Sequence, residues 1–252
     1  MSGHGEHSET TLITGASSGI GRSLAKRFAR RGNRVVLLAR RGQALEELAA
    51  EIRSVGGRAD VLVADVTDRS AMRAAIVAFE QVNVPITRLI ANAGGGERTR
   101  VDAFDAEAVE STITLNLMGV VNAIACVLPG MHERGAGQLV AVGSLAGSRG
   151  LPSAAAYSAA KAGVANFMES LRIDLRGSGV VVTLLVPGFV ATKPGKRKRF
   201  AMDLDTATAG MEQAILARKA RWAAPATLST AAALLRLLPA TGYDWLLSRR
   251  RK

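Results

Sequence analysis

The chain predicts an α/β domain built on one doubly wound parallel sheet, with helices on both faces. Two observations carry this. Short apolar runs alternate with longer amphipathic ones from residue 10 to residue 188, the rhythm of βαβ units. The apolar residues are small aliphatics, aromatics being only 4%, which suits strands buried on both faces. The chain has 252 residues, enough for one large domain, and neither tandem repeats nor low-complexity linkers divide it.

The elements follow in order. "TTLIT", "RVVLLA", "ADVLVA", "RLIANA", "GQLVAVGS" and "VVVTLLVP" read as strands. Between them, helical patterns run over 22–31, 43–55, 70–81, 104 to about 131, and 154–176. Right-handed crossovers between such units produce a doubly wound sheet, with ligands bound beyond the carboxyl ends of its strands. After Gly188 the alternation is expected to stop. A basic loop, a helix near 206–219, the short "RWAAP" and a leucine-rich helix ending at Pro239 follow. Residues 1–9 are read as a flexible tail, 10–192 as the core, and 193–252 as a basic lid or tail of the same domain.

Charge and composition narrow the function. The net charge is +12, and residues 193–252 carry 13 basic against 4 acidic side chains. "KRKR" (Lys196–Arg199) and "RRRK" (Arg249–Lys252) are the dense clusters. They read either as solvated cations or as contacts for an anionic substrate or a membrane surface, because leucines and Trp245 lie close to the last cluster. High pI permits nucleic-acid binding, but no nucleic-acid motif is present and none is expected as a partner. The single cysteine, Cys126, lies in an apolar stretch and reads as a small buried hydrophobe. It offers no disulfide within the chain. The N-terminus is polar and lacks the apolar core of a signal peptide. His4 and His7 read as solvated, and no metal site is expected. No run is read as a membrane span, since the C-terminal apolar stretch is broken by Arg236, Pro239 and Asp244. A cytoplasmic location is expected, peripheral to the inner face of a membrane if the tail engages lipid.

"TGASSGIG" leaves the first strand and enters a helix, with Gly15, Gly19 and Gly21 spaced so that the backbone can approach a ligand. Amides at a helix N-terminus bind phosphate oxygens, although a tight turn has the same composition. The end of the second strand sharpens this. About 20 residues past the glycines, an acid would hold ribose hydroxyls, whereas an arginine suits a 2′-phosphate. Positions 39–41 are Ala-Arg-Arg. Arg40, with Arg41 as a second donor, can stack or fork onto that phosphate, which favours NADPH over NADH.

Together with Asp65-Val66, "NAG" (Asn92, Ala93, Gly94), Asn116, Ser144, Tyr157-x-x-x-Lys161 and "PGFVAT" (Pro187–Thr192), this loop resembles the motif series of the classical short-chain dehydrogenases/reductases. The resemblance runs from about Thr11 to Thr192. It implies a Rossmann-like sheet binding NADP through Gly15, Ser17, Ser18, Gly19, Ile20 and Gly21. Asp65 and Val66 would meet the adenine, Asn92–Gly94 would brace the sheet, and Pro187, Gly188, Val190 and Thr192 would flank the nicotinamide. It also implies a catalytic set of Asn116, Ser144, Tyr157 and Lys161.

The chemistry agrees. Tyr157 and Lys161 are i and i+4, on one helix face. A nearby cation favours the phenolate of a group whose ordinary pKa is near 10. Tyr157 is then the acid in carbonyl reduction and the base in alcohol oxidation, while Ser144 stabilises the substrate oxygen. By resemblance, Lys161 also holds the nicotinamide ribose, and Asn116 holds a water that relays protons to it.

The chain departs from the family in "ANAG", in "VGSLAG", and in lacking the usual strand followed by a "V-D-G-G"-like turn at its end. The last departure weakens the expectation of a standard tetramer. Pairing of the helices at 104–131 and 154–176 across a homodimer remains implied.

Overall fold

The computed structural model describes residues 9–192 and 201–248. The N-terminal tail with His4 and His7, the "KRKR" cluster and the terminal "RRRK" lie outside these residues. The elements are β1 (Thr10–Thr14), α1 (Gly19–Arg30), β2 (Arg34–Ala39), α2 (Gly42–Ser54), β3 (Arg58–Val63), α3 (Arg69–Val82) and β4 (Arg88–Ala91). Then come α4 (Ala106–Ile113), α5 (Gly119–Glu133), β5 (Gly137–Val142), α6 (Ala155–Asp174), β6 (Val180–Pro187), β7 (Val190–Ala191) and β8 (Met202–Asp203). The chain continues through α7 (Leu204–Leu216), β9 (Arg221–Ala224), α8 (Ala226–Leu237) and α9 (Ala240–Ser248).

Seven strands form one parallel sheet in the order β3-β2-β1-β4-β5-β6-β9. The period of two sorts each strand between two cores. Val36 and Leu38 of β2 face one side with Met72, Ile124 and Val164. Val35 and Leu37 face the other with Leu24, Phe28, Leu48 and Ile215. Strand order reverses between β1 and β4, so the loops after these strands diverge and open a crevice.

The structure corrects one expectation. The alternation does not stop after β6: α7 is a further crossover, and "RWAA" is the seventh strand, paired from Leu184↔Arg221 to Pro187↔Ala224. Four residues on a sheet edge, with Arg221 exposed and the rest half-buried, supply no apolar run. Only the pairing with β6 identifies the strand. Its first helix also begins earlier than the periodicity predicts, at Gly19 rather than Arg22, because the glycine loop itself makes the first turn.

The segment Ala106–Glu133 is, by length and composition, apolar enough to cross a membrane. In the fold it is a core helix, with Val120, Ala123, Ile124, Val127 and Met131 packed against the sheet. At the opposite end of the sheet from the crevice, Arg88 is only 4% exposed. Its guanidinium donates to Gln138 Oε1 at 2.8 Å and Asn33 Oδ1 at 3.0 Å, and it pairs with Glu9 at 2.8 Å. These partners offset the cost of burying a charge there.

Candidate active site

The carboxyl ends of β1, β2, β4, β5 and β6 open onto one cleft of about 650 Å³. Each wall has a local cause. After β1 the backbone turns at Gly15, with φ +66°, and enters α1 at Gly19, with φ +53°. A Cβ on Gly15 would stand 2.8 Å from Ala93 Cα, and one on Gly21 would stand 2.4 Å from the Gly15 carbonyl oxygen. The spacing is therefore one of close backbone approach. Thr14 Oγ1 accepts from the amides of Asn92 and Ala93 at 3.0 and 3.1 Å, and the Asn92 side chain donates back to Thr14 O at 3.0 Å. "NAG" thus buttresses the glycine loop from behind.

At the end of β2, Arg41 Nη2 donates to Ser17 Oγ at 3.0 Å, which ties the second arginine to the glycine loop. Arg40 Nη1 reaches Asp65 Oδ2 at 3.4 Å. Burial pushes the Asp65 carboxyl up, but hydrogen bonds from Thr67 and the charge of Arg40 prevail and hold it below the usual carboxylate range. The cap of α3 is Asp68, which accepts from Ala71 N at 2.9 Å. Asp65 is left facing the cleft beside Val66.

Asn116 sits in a single π turn, Thr114–Met118, between α4 and α5, a feature frequent at functional sites. Its side chain is fully buried. It donates to Thr112 O at 2.8 Å and Gly95 O at 2.5 Å, and accepts from Gly95 N at 3.2 Å. Gly94 packs between this amide and Lys161: a Cβ there would stand 2.7 Å from Asn116 Oδ1 and 3.4 Å from Lys161 Nζ. Ser144 follows β5 and caps the short turn Leu145–Gly147, its Oγ accepting from Ala146 N at 3.1 Å. That leaves its own hydrogen free to donate.

Tyr157 and Lys161 share a face of α6, as their spacing predicts. Their electrostatics differ from expectation. Burial pushes the Tyr157 hydroxyl above its ordinary pKa, and hydrogen bonding from Ser144 pulls it back. The Lys161 Nζ donates to Val142 O at 3.0 Å and stands 5.7 Å from the Tyr157 ring centroid. Burial lowers Lys161 itself to about 8.

The remaining wall is Pro187, Gly188, Val190 and Thr192, at the exit of β6. The Thr192 side chain closes on the glycine loop, 3.3 Å from where a Gly19 Cβ would be. Every site residue expected from the sequence lines the cleft except Gly21, whose part is to let α1 pack on the loop. The expected set omitted six residues that also line it, Gly95 and Leu115 among them. The run "GGG" at 94–96 was a signal for Gly95.

The donor set fits a dinucleotide. Glycine amides at the start of α1, two arginines beside them and a carboxylate in the loop after β3 suit a phosphate-bearing ligand. The cleft extends from there to Tyr157.

A model of the short chain dehydrogenase family matches residues 9–202. An uncharacterized oxidoreductase of Myxococcus xanthus is 44% identical over 193 residues, 77% of this chain and 76% of that one. Sulfoacetaldehyde reductase 2 of Chromohalobacter salexigens is 39% identical over 189 residues, 74% of each chain. Among solved structures, a short-chain dehydrogenase from Sphingobium yanoikuyae in complex with NADPH superposes with a TM-score of 0.77 at 30% identity, covering 96% of this chain and 94% of that one. Sheet order, cleft and sequence likeness agree, and the chain belongs to the short-chain dehydrogenase/reductase family, oxidoreductases that act on carbonyl or alcohol groups with a nicotinamide cofactor.

Proposed function

We propose that the chain is an NADPH-dependent carbonyl reductase with Tyr157 as its proton donor. The observation that carries this is the convergence of Asn116, Ser144, Tyr157 and Lys161 on one end of the cleft whose other end holds Arg40 and Arg41. The bound cofactor supplies the hydride. Ser144 donates a hydrogen bond to the substrate oxygen and stabilises the charge that develops there. Tyr157 passes its phenolic proton to the same oxygen. Lys161, held between Val142 O and Gly94, steadies the phenolate left behind and meets the ribose. Asn116 orients a proton relay behind it. The same groups run in reverse oxidise an alcohol.

Gly15, Ser17, Ser18, Gly19 and Ile20 cradle the pyrophosphate, with Gly21 letting α1 pack behind them. Asp65 and Val66 meet the adenine, Asn92–Gly94 line the adenosine side, and Pro187, Gly188, Val190 and Thr192 flank the nicotinamide. Arg40 and Arg41 take the 2′-phosphate, since no acid stands at 39–41 to hold ribose hydroxyls. The substrate is a small ketone or aldehyde. The five cations among residues 193–199 favour an anionic or lipid-like one. The working form is a homo-oligomer in the cytoplasm.

A panel of carbonyl substrates followed by loss of reduced-nicotinamide absorbance tests the reading. NADPH is expected to outperform NADH, and Arg40→Asp to weaken NADPH at least ~10-fold while changing NADH little, the loss of a charge-assisted phosphate contact. Equal losses for both cofactors would remove Arg40 from the 2′-phosphate.

A second reading, peripheral membrane contact, is favoured by exposed apolar side chains on α8 and α9: Leu237 is 81% and Trp245 57% exposed. The full chain is then expected to float with phosphatidylserine vesicles, and Leu237→Ser/Trp245→Ser to lose most of that recovery. Equal recovery of both proteins sinks it.

A further inference from the structure

The chain between Ser144 and Tyr157 is held from three sides. At its start, the turn Leu145–Gly147 lies directly on α6: a Cβ on Gly147 would stand 2.6 Å from the Lys161 carbonyl carbon. At its end, Thr99 takes hold. The Thr99 amide donates to Ser153 O at 3.1 Å, and its hydroxyl accepts from Ala156 N at 3.2 Å. Ser153 has φ +57°, a left-handed backbone that a serine keeps only where its surroundings enforce it.

The third hold comes from the C-terminal helices. Arg149 Nη1 donates to Leu235 O at 2.6 Å and Leu238 O at 2.7 Å. These are carbonyls at the end of α8, where intrahelical partners run out. The same guanidinium stacks over the Tyr243 ring, 4.1 Å from its centroid. The Tyr243 hydroxyl donates to Gly150 O at 2.6 Å. Tyr243 is 7% exposed and is the only buried residue of α8 and α9. These helices are therefore anchored on the segment that joins the two hydroxyl-bearing site residues. Pro225, which caps α8, packs against the cleft wall at Gly188: a Cβ on Gly188 would meet Leu145 Cδ1 and Pro225 Cδ at 3.3 Å each.

We propose that Arg149 and Tyr243 are positioning residues that pin residues 148–153 to α8 and α9, making the C-terminal helices the support of the substrate-side wall. Substrate affinity and choice then depend on this clamp, whereas the cofactor end, built from β1, β2 and β4, does not. The kinetic part rests on the carbonyl-reductase reading.

Three variants of the full chain test it. Arg149→Ala removes the carbonyl bonds and the stack, Arg149→Lys keeps a cationic donor, and Tyr243→Phe keeps the ring without its hydroxyl. Arg149→Ala is expected to raise KM for the best carbonyl substrate about tenfold, with kcat within about threefold. NADPH affinity by fluorescence titration should stay within about twofold, and the other two variants should fall between Arg149→Ala and the unmodified chain. Amide exchange in 148–153 should quicken in Arg149→Ala while that in β1, β4 and β5 stays unchanged. Unchanged KM with unchanged exchange overturns the proposal. So does a joint fall of kcat, NADPH affinity and Tm, which marks a merely structural role. If the unmodified chain reduces no carbonyl with NADPH, the functional reading fails. Amide exchange, which needs no substrate, then decides the clamp: quickened exchange in 148–153 supports it, and unchanged exchange sinks it.

Discussion

Tyr157→Phe is expected to lower kcat by at least ~10³-fold while leaving NADPH affinity within about threefold, because it deletes the group proposed to transfer the proton and little else. The ring stays packed on α6, and Ser144 keeps its bond from Ala146 N, so the cleft retains its shape. What disappears is the phenolic O–H beside the substrate oxygen. Ser144 cannot replace it, since a hydroxyl of ordinary serine acidity stabilises an oxyanion by hydrogen bonding without surrendering its proton. The pair of measurements is steady-state turnover with the best carbonyl substrate and fluorescence titration with NADPH. Turnover within tenfold of the unmodified chain would mean that the proton comes from elsewhere.

Lys161→Met is expected to abolish turnover and yet stabilise the fold at pH 7 by about 2 kcal/mol, seen as a higher urea midpoint. The reason is burial. Lys161 is 4% exposed, and desolvation takes its pKa from 10.5 to about 8. Below pH 8 the side chain is charged in both folded and unfolded chains, and the folded state bears the whole penalty, about 3 kcal/mol by linkage. The bond to Val142 O, about 1 kcal/mol, is lost in the variant and reduces the gain. Between about pH 8 and 10.5 the unfolded chain holds more protons than the folded one, so stability of the unmodified protein rises with pH. The advantage of the variant should shrink across that window and vanish above it. A midpoint at pH 7 no higher than that of the unmodified chain would contradict this. The strain is retained where the site uses it, which is the ordinary trade between stability and activity.

The two substitutions bear on how far the site is legible in a linear chain. Tyr157 and Lys161 share a helix face because of a four-residue spacing, and any helix over that stretch brings them together. Their electrostatics are not local. Proximity of a cation suggests a lowered tyrosine pKa, whereas the packed cleft raises it, since burial depends on the strands and loops that close over α6. Asn116 is similar. A helical pattern over 104–131 contains it, but its place in a π turn with its amide on Gly95 depends on a loop that only the fold brings beside it.

What the sequence alone determined is whatever depends on neighbours in the chain. That comprises the alternation that makes a parallel sheet, the glycines at 15, 19 and 21 that let backbone approach backbone, the arginines closing β2, and the motif order that marks the family. What only the tertiary structure decided depends on partners far apart. "RWAA" becomes a strand because β6 offers it an edge, not because its own residues demand one. The apolar helix 106–133 is a core element because the sheet covers one face of it. Arg149 meets the end of α8 across 86 residues of chain. A single cation, a short half-exposed strand and a buried lysine have no periodic signature, because their energies come from contacts that exist only once the sheet has assembled.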